Sequence, residues 1–506
     1  MTNPEAAVES CVPAASSPPG RSDLSLTARV VRGGVWVFAG KVVGRGLQFV
    51  QLVVLARLLT PADFGLFGIV MLAIAVLETF SETGFNAALI QRKDNAEAYL
   101  DTAWTVQVIR RLVLAMVLFA GAPVVGWFFQ EPRAVPLMRL MSLSVALSGF
   151  VNIGIIYFQK ELQFHKQVVY DVLTAVVSLI VGVVLAYKLR SVWALIWAGL
   201  AGTAAQCALS YCLHSYRPHP RLDRAQAAEL FRFGRWMLGS SIVVFVALHG
   251  DSAFLGKMLG ATALGVYQMA YRIGNLAATE IAYLTNTVMM PAYAKVQDDR
   301  ARLGRAFLQV FEVVMSLALP LTVFIVLAAP EIVLGVLGSR WQAAIVPIEI
   351  LAVAGLLRAI AATGGPVFVG TGRPRMSFSL QVVRVSVFAI SIYPLTKLFG
   401  VAGTCCSIVC GIAATLPVWT RVTGLTGVTW GDLLRRCRLA FLLAALTAVG
   451  VCLGETLSAD LPLVTLVWEA VIAGAFCIIG ALVCARLSAM GLNALTSLPW
   501  RVFRGN

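Results

Sequence analysis

From Trp36 to Cys484 the chain is a succession of apolar stretches, each long enough to cross a bilayer and separated from the next only by a short polar loop. In hydrocarbon every backbone N–H and C=O must be bonded within the protein, so such stretches are compatible with membrane helices and with little else. About fourteen can be placed, at roughly 35–57, 65–90, 104–129, 135–158, 168–187, 191–213, 236–256, 263–290, 306–328, 343–369, 377–396, 401–420, 438–456 and 463–485. The expected fold class is an all-α integral membrane protein. Composition points the same way: 59% of residues are hydrophobic and 13% charged, whereas a soluble protein carries about 25% charged residues to clothe its surface.

The formal net charge of +15 invites a nucleic-acid reading, but the basic residues alternate between loops. The N-terminal tail, the even-numbered loops and the C-terminus hold about 25 Lys and Arg, among them Arg217, Arg221, Arg232, Arg300, Arg302, Arg435 and Arg436, against about 7 in the odd-numbered loops. The positive-inside rule then puts both termini in the cytoplasm. The charge is an orientation signal, and no nucleic-acid partner is expected. The ten cysteines fall mostly within spans, without paired spacing, and read as small packing residues.

The opening pair of spans recurs further along without a gap. Arg32, Gly34, Trp36, Val43, Leu55, Leu59, Gly65, Thr79 and Asn86 face Arg232, Gly234, Trp236, Val243, Leu255, Leu259, Gly265, Thr279 and Asn286. Both copies start on the same side, so the repeats are parallel and related by an axis along the membrane normal. The expected organisation is a disordered cytoplasmic tail at 1–24, an N-lobe of helices 1–6 at 25–213, and an inter-lobe loop at 214–235. A C-lobe of helices 7–12 follows at 236–420, then helices 13–14 and a tail at 421–506. Within the loop, Ala227 to Phe233 suits a short amphipathic surface helix.

A charge at mid-bilayer costs about 2.5–3.5 kcal/mol on insertion scales, so such residues normally face a partner or a wet cavity. Span 1 carries Lys41 and Arg45, span 2 Glu78 and Glu82, span 7 His249 and Asp251, span 8 Arg272 and Glu280. Lys41, Arg45 and Gln48 share one helical face, Glu78, Glu82 and Asn86 another, and Arg272, Asn275 and Thr279 a third. The simplest arrangement lines one cavity with all these stripes. The bland alternative pairs them as structural ion bridges, for example Arg45 with Glu78 or Glu82. Arg139, Glu349, Arg358 and Arg384 extend the cavity or snorkel, Asp251 lies near a span end, and Asp171, Glu312 and Glu469 read as isolated.

Gly34 to Lys41 superficially resembles a phosphate-binding loop, but the glycine spacing is wrong and Val42 follows the lysine where Ser or Thr is needed. The histidines lack metal-ligand spacing. No loop exceeds about 25 residues, which leaves no room for a soluble catalytic module. Neither a cofactor, a metal nor enzymatic activity is expected.

Gly33-Gly34-Val35-Trp36, then Leu55-Ala56-Arg57-Leu58-Leu59-Thr60-Pro61-Ala62-Asp63-Phe64-Gly65, then Glu82-Thr83-Gly84-Phe85-Asn86-Ala87-Ala88-Leu89-Ile90-Gln91 resemble the opening of bacterial polysaccharide transport proteins. These are the Wzx-type lipid-linked oligosaccharide flippases of the multidrug/oligosaccharidyl-lipid/polysaccharide exporter superfamily. The resemblance implies an undecaprenyl-diphosphate-linked oligosaccharide as substrate, carried across the bacterial inner (plasma) membrane for exopolysaccharide, capsule or O-antigen synthesis. It also implies a cavity bordered by helices 1, 2, 7 and 8, with Arg45 and Arg272 on the anionic head group.

On that reading Lys41 assists the arginines, while Gln48, Gln51, Asn275 and Asn286 bond sugars. Glu78, Glu82, Asp251 and Glu280 balance charge or bind a proton or sodium counter-ion. A polysaccharide polymerase, export machinery and membrane lipids are the expected partners. Two alternatives stay open: a multidrug or small-molecule exporter of the same superfamily, and a membrane-embedded polysaccharide polymerase.

Overall fold

The structure, a computed structural model, describes residues 21–81, 96–160, 163–221, 223–276, 289, 293–294, 296–457 and 462–489. Among these residues there is no β-strand, and nine helices are long and apolar enough to cross a membrane. The long helices are α1 (Arg21–Leu58), α2 (Pro61–Ser81), α3 (Ala96–Phe129), α4 (Ala134–Gly149), α5 (Phe164–Leu189), α6 (Trp193–Leu213) and α7 (Arg224–Gly274). They continue with α8 (Arg300–Leu327), α9 (Ile345–Gly370), α10 (Pro374–Ala413), α11 (Arg438–Leu457) and α12 (Pro462–Ala489). The all-α membrane fold expected from hydropathy is the fold observed, and the chain is a multi-pass membrane protein. Large apolar side chains such as Met116, Trp127, Ile180, Ile390 and Phe399 lie exposed, as a lipid-facing surface requires.

Two of the long helices fold back on themselves. Gly260 has φ +80° inside α7 and Gly400 has φ +58° inside α10, values that side chains other than glycine rarely adopt. These breaks separate the stretches read from sequence as spans 7 and 8 and as spans 11 and 12. The arms of α7 are antiparallel, because the Tyr267 hydroxyl reaches Asp251, sixteen residues earlier, which in a straight helix would lie about 24 Å away. The amphipathic segment 227–233 is not a separate surface helix. It is the first part of α7, which begins at Arg224, so the connection after α6 is shorter than the sequence suggested.

The turn between α1 and α2 shows why its residues are needed. Pro61 takes the first helical position, and Thr60 and Asp63 form a reciprocal cap: Asp63 N donates to Thr60 Oγ1 at 3.3 Å and Thr60 N to Asp63 Oδ2 at 3.0 Å. The second oxygen of Asp63 accepts from Val192 N at 3.0 Å, tying this turn to the start of α6. One residue on, Phe64 packs edge-to-face against Trp341, 5.1 Å between ring centres.

Next to that turn α2 crosses the second arm of α7 at backbone contact. A Cβ on Gly65 would overlap the carbonyl oxygen of Ala261, and a Cβ on Gly265 would overlap that of Pro61. Pro61 and Gly65 are the repeat equivalents of Ala261 and Gly265. The contact is therefore reciprocal, as a two-fold axis between the repeats requires. A continuous core closes around it, drawing Leu66, Ile69, Leu118 and Met138 from the first half and Leu255, Leu264, Ile325 and Leu351 from the second.

Candidate functional site

At the same end of the bundle three side chains bond across between the halves. Arg57, at the end of α1, donates through Nε to Val336 O at 2.9 Å and through a terminal nitrogen to Gly335 O. Its repeat equivalent Lys257 donates to Phe128 O, at the end of α3. Trp341 Nε1, fully buried, donates to Ala56 O at 2.9 Å. Each half thus offers a cation or an indole N–H to carbonyls that the other leaves unbonded at a helix end.

Polar groups inside the second half gather on the arms of α7 and on α9. Asp251 is 9% exposed; it accepts from Tyr267 Oη and from Ser252 N, the latter at 2.6 Å. Tyr271 stands one turn beyond Tyr267, ring centres 5.9 Å apart. Arg358 donates to the Tyr271 hydroxyl at 2.9 Å and to Asn275 Oδ1 at 2.6 Å, its guanidinium 5.3 Å from the Tyr271 ring centre. Asn275 is 8% exposed. Bonds to a charged group are worth about 1.5–3 kcal/mol each, so donors and acceptors here are held in fixed directions. Chemically the cluster offers a carboxylate and a guanidinium linked through two phenols, a place where a cation can bind or a proton be exchanged without rebuilding the helices.

The sequence-based candidates divide among several places. Asp251 and Asn275 join this network, and Asp251 is buried rather than solvated at a span end. Lys41, Arg45 and Gln48 lie exposed in the second half of α1, and Arg272 is exposed on the second arm of α7. Gln51, one turn beyond Gln48, turns to α5, its Nε2 3.4 Å from Ser178 Oγ. Glu78 pairs with Arg111 of α3 instead of a cation on α1, and the neighbouring Arg110 donates to Ser81 O at 2.9 Å. Glu312, which reads as isolated in sequence, pairs with Arg436 at 3.0 Å. Glu82, Glu280 and Asn286 lie outside the described residues.

Sequence reasoning missed Tyr267 and Tyr271. Their only signal is position: in the second arm of α7 they precede Asn275 at four-residue helical spacing.

The sequence profile of the family described as "Polysaccharide biosynthesis protein" matches residues 54–346. The chain is 26% identical over 386 residues to the lipopolysaccharide biosynthesis protein WzxC of Escherichia coli (strain K12), covering 75% of this chain and 78% of that protein. To the succinoglycan biosynthesis transport protein ExoT of Rhizobium meliloti (strain 1021) it is 24% identical over 356 residues, 70% of this chain and 72% of that one. Its fold is similar to the inward closed conformation of the lipid II flippase MurJ, with a TM-score of 0.67 at 11% identity, over 91% of this chain and all of that one (100%). The matched profile spans the α1–α2 turn, the crossing at Gly65 and Gly265 and the α7 part of the Asp251 network, and the chain belongs to the polysaccharide biosynthesis protein family.

Proposed function

We propose that this protein is a flippase for lipid-linked oligosaccharides, moving repeat units on undecaprenyl diphosphate across the bacterial inner membrane for polysaccharide synthesis. It acts as a transporter and not as an enzyme. The observation that carries the reading is the reciprocal contact of Gly65 with Ala261 and of Gly265 with Pro61, bracketed by the equivalent bonds of Arg57 and Lys257. Two similar lobes joined this way at one end of a bundle can pivot about their shared axis. The positive-inside count assigns both termini to the cytoplasm and so puts this latched end on the far side. MurJ, WzxC and ExoT supply the substrate class through what they are named for.

A diphosphate cannot cross about 30 Å of hydrocarbon unaided, and guanidinium offers permanent charge in a fork that fits phosphate oxygens. Arg45 and Arg272 hold the diphosphate, Lys41 assists, and Gln48, Asn275 and Asn286 meet sugar hydroxyls, while the lipid tail stays in the bilayer. Asp251 couples transport to a proton or sodium gradient through its contact with Tyr267. Glu78, Glu82 and Glu280 balance the cationic groups.

Depletion of the protein tests this, with the lipid-linked oligosaccharide pool followed by mass and its leaflet read with a membrane-impermeant sugar-modifying reagent. Accumulation on the cytoplasmic leaflet with loss of surface polymer is the expected result. An unchanged pool sends the assignment to small-molecule export, and accumulation on the outer leaflet points to polymerisation.

A further inference from the structure

Three glutamates far apart in sequence converge beside the latched end. Glu331 ends a short helix after α8, Glu455 lies in the last turn of α11, and Glu469 lies in the second turn of α12. One carboxylate oxygen from each falls within 4.8 Å of the others. Glu469 is 0% exposed, and neither of its oxygens has a hydrogen-bond partner; nor has Oε2 of Glu331, also buried. A buried carboxylate without donors is among the least favourable arrangements a protein can hold, and two further carboxylates beside it add repulsion.

The backbone is shaped to bring these groups together. A Cβ on Gly454 would lie 2.7 Å from Glu469 Cγ, and one on Gly450, a turn earlier, 2.8 Å from Ala473 Cα. These two glycines let α11 and α12 approach closely enough to enclose the Glu469 side chain. On the other side, a Cβ on Gly335 would lie 3.0 Å from Leu463 N, so the segment 332–337 that follows Glu331 rests on the start of α12. Gly335 and Val336 in that segment are the carbonyls that receive Arg57.

We propose that Glu331, Glu455 and Glu469 bind one calcium ion, which pins α11 and α12 to the segment that Arg57 grips. The donor set is all oxygen and formally carries three negative charges, which suits a hard divalent cation and not zinc. Calcium sits about 2.3–2.6 Å from each ligand oxygen, so two of its ligands are up to about 4.6–5.2 Å apart, in keeping with the observed spacing; magnesium at about 2.0–2.1 Å draws oxygens closer and gives up its water reluctantly. Glu455 is exposed and provides the way in from solvent. None of this depends on which substrate the protein carries.

The test uses the purified full-length chain in lipid nanodiscs, with calcium-45 binding and thermal unfolding measured against calcium, magnesium and EDTA at constant ionic strength. The wild type is expected to bind calcium saturably, one ion per chain, and to unfold at a higher temperature with calcium than with equal magnesium. Glu455→Gln, at an exposed position that tolerates change, is expected to weaken binding by at least about tenfold. Glu469→Gln is expected to abolish the calcium response while unfolding at a higher temperature than wild type in EDTA, because it removes a buried charge. The proposal is overturned by a wild type with no saturable binding, by magnesium matching calcium, or by affinity unchanged in both variants. Stabilisation of the wild type by acid alone, with no response to calcium, would assign the cluster to protons and likewise overturn it.

Discussion

Arg57 and Lys257 occupy the same place in the two repeats and make the same kind of bond in opposite directions, Arg57 to the segment after α8 and Lys257 to the end of α3. Each reaches across from its own half to a helix end in the other. The pair brackets the crossing at Gly65 and Gly265, so the closed end of the bundle is held by cations on either side and by backbone contact between them.

The bonds are exposed or part-buried and charge-assisted, worth about 1 kcal/mol for each of the two side chains once solvent screening is allowed for. Arg57→Ala with Lys257→Ala is therefore expected to raise opening of that end by about 5- to 30-fold, and each single change by less. A cysteine in place of Phe64, which faces Trp341, reports this through its alkylation by an impermeant maleimide. Unchanged labelling in the double variant counts against a latch.

Gly65→Ala and Gly265→Ala place a methyl group on a backbone carbonyl that cannot move aside, and each is expected to cost about 1–3 kcal/mol or more. Gly44→Ala, with open space around its Cβ, serves as the control and is expected to be neutral or slightly stabilising. Unfolding temperature of the purified protein ranks the three. Equal behaviour of Gly65→Ala and Gly44→Ala would show that the helices do not cross so closely.

Arg358→Ala removes the donor to the buried Asn275 Oδ1 and to the half-buried Tyr271 hydroxyl, at a total cost of about 1–3 kcal/mol. Arg358→Lys is expected to recover only part of this: both bonds leave one terminal nitrogen, which an ammonium can mimic, but the lysine stem lacks the planar guanidinium that lies beside the Tyr271 ring. Export in a depleted strain and unfolding temperature should fall together in both variants; full export by Arg358→Ala would separate the network from transport.

At the surface, Thr429 and Asp432 cap the short helix Trp430–Arg436 reciprocally. The bond from the Thr429 hydroxyl, then that from its backbone N–H, holds the Asp432 carboxyl below the ordinary carboxylate range. Because the folded value is depressed, the stabilisation is complete above the unfolded value, about 3.9, and is lost as pH falls through the folded one. Amide exchange over 430–436, corrected for its intrinsic pH dependence, is expected to quicken only in that acidic window. Thr429→Ala should quicken it already at neutral pH.

Membrane helices and the recurring glycine were legible because each rests on local rules: span length, and a glycine in register. Partners were not. Glu78 and Arg111 are joined by packing between helices whose rotation no sequence period fixes, and Arg110 and Arg111 look like ordinary cations near a span start. The two tyrosines that join Asp251 to Arg358 escaped because tyrosine is a residue a membrane protein carries for many reasons. Glu331, Glu455 and Glu469 lie on three separate elements, so no spacing rule could gather them.

The crossing at Gly65 and Gly265 also bears on how such a chain can change. The surface formed by Pro61 and Gly65 meets its own repeat the way one protomer of a two-fold dimer meets an identical copy. A single chain that keeps this self-complementary patch has inherited the constraint of a homodimer. Bulk added on either face strikes the other, so the two glycines are bound to drift together or to stay as they are.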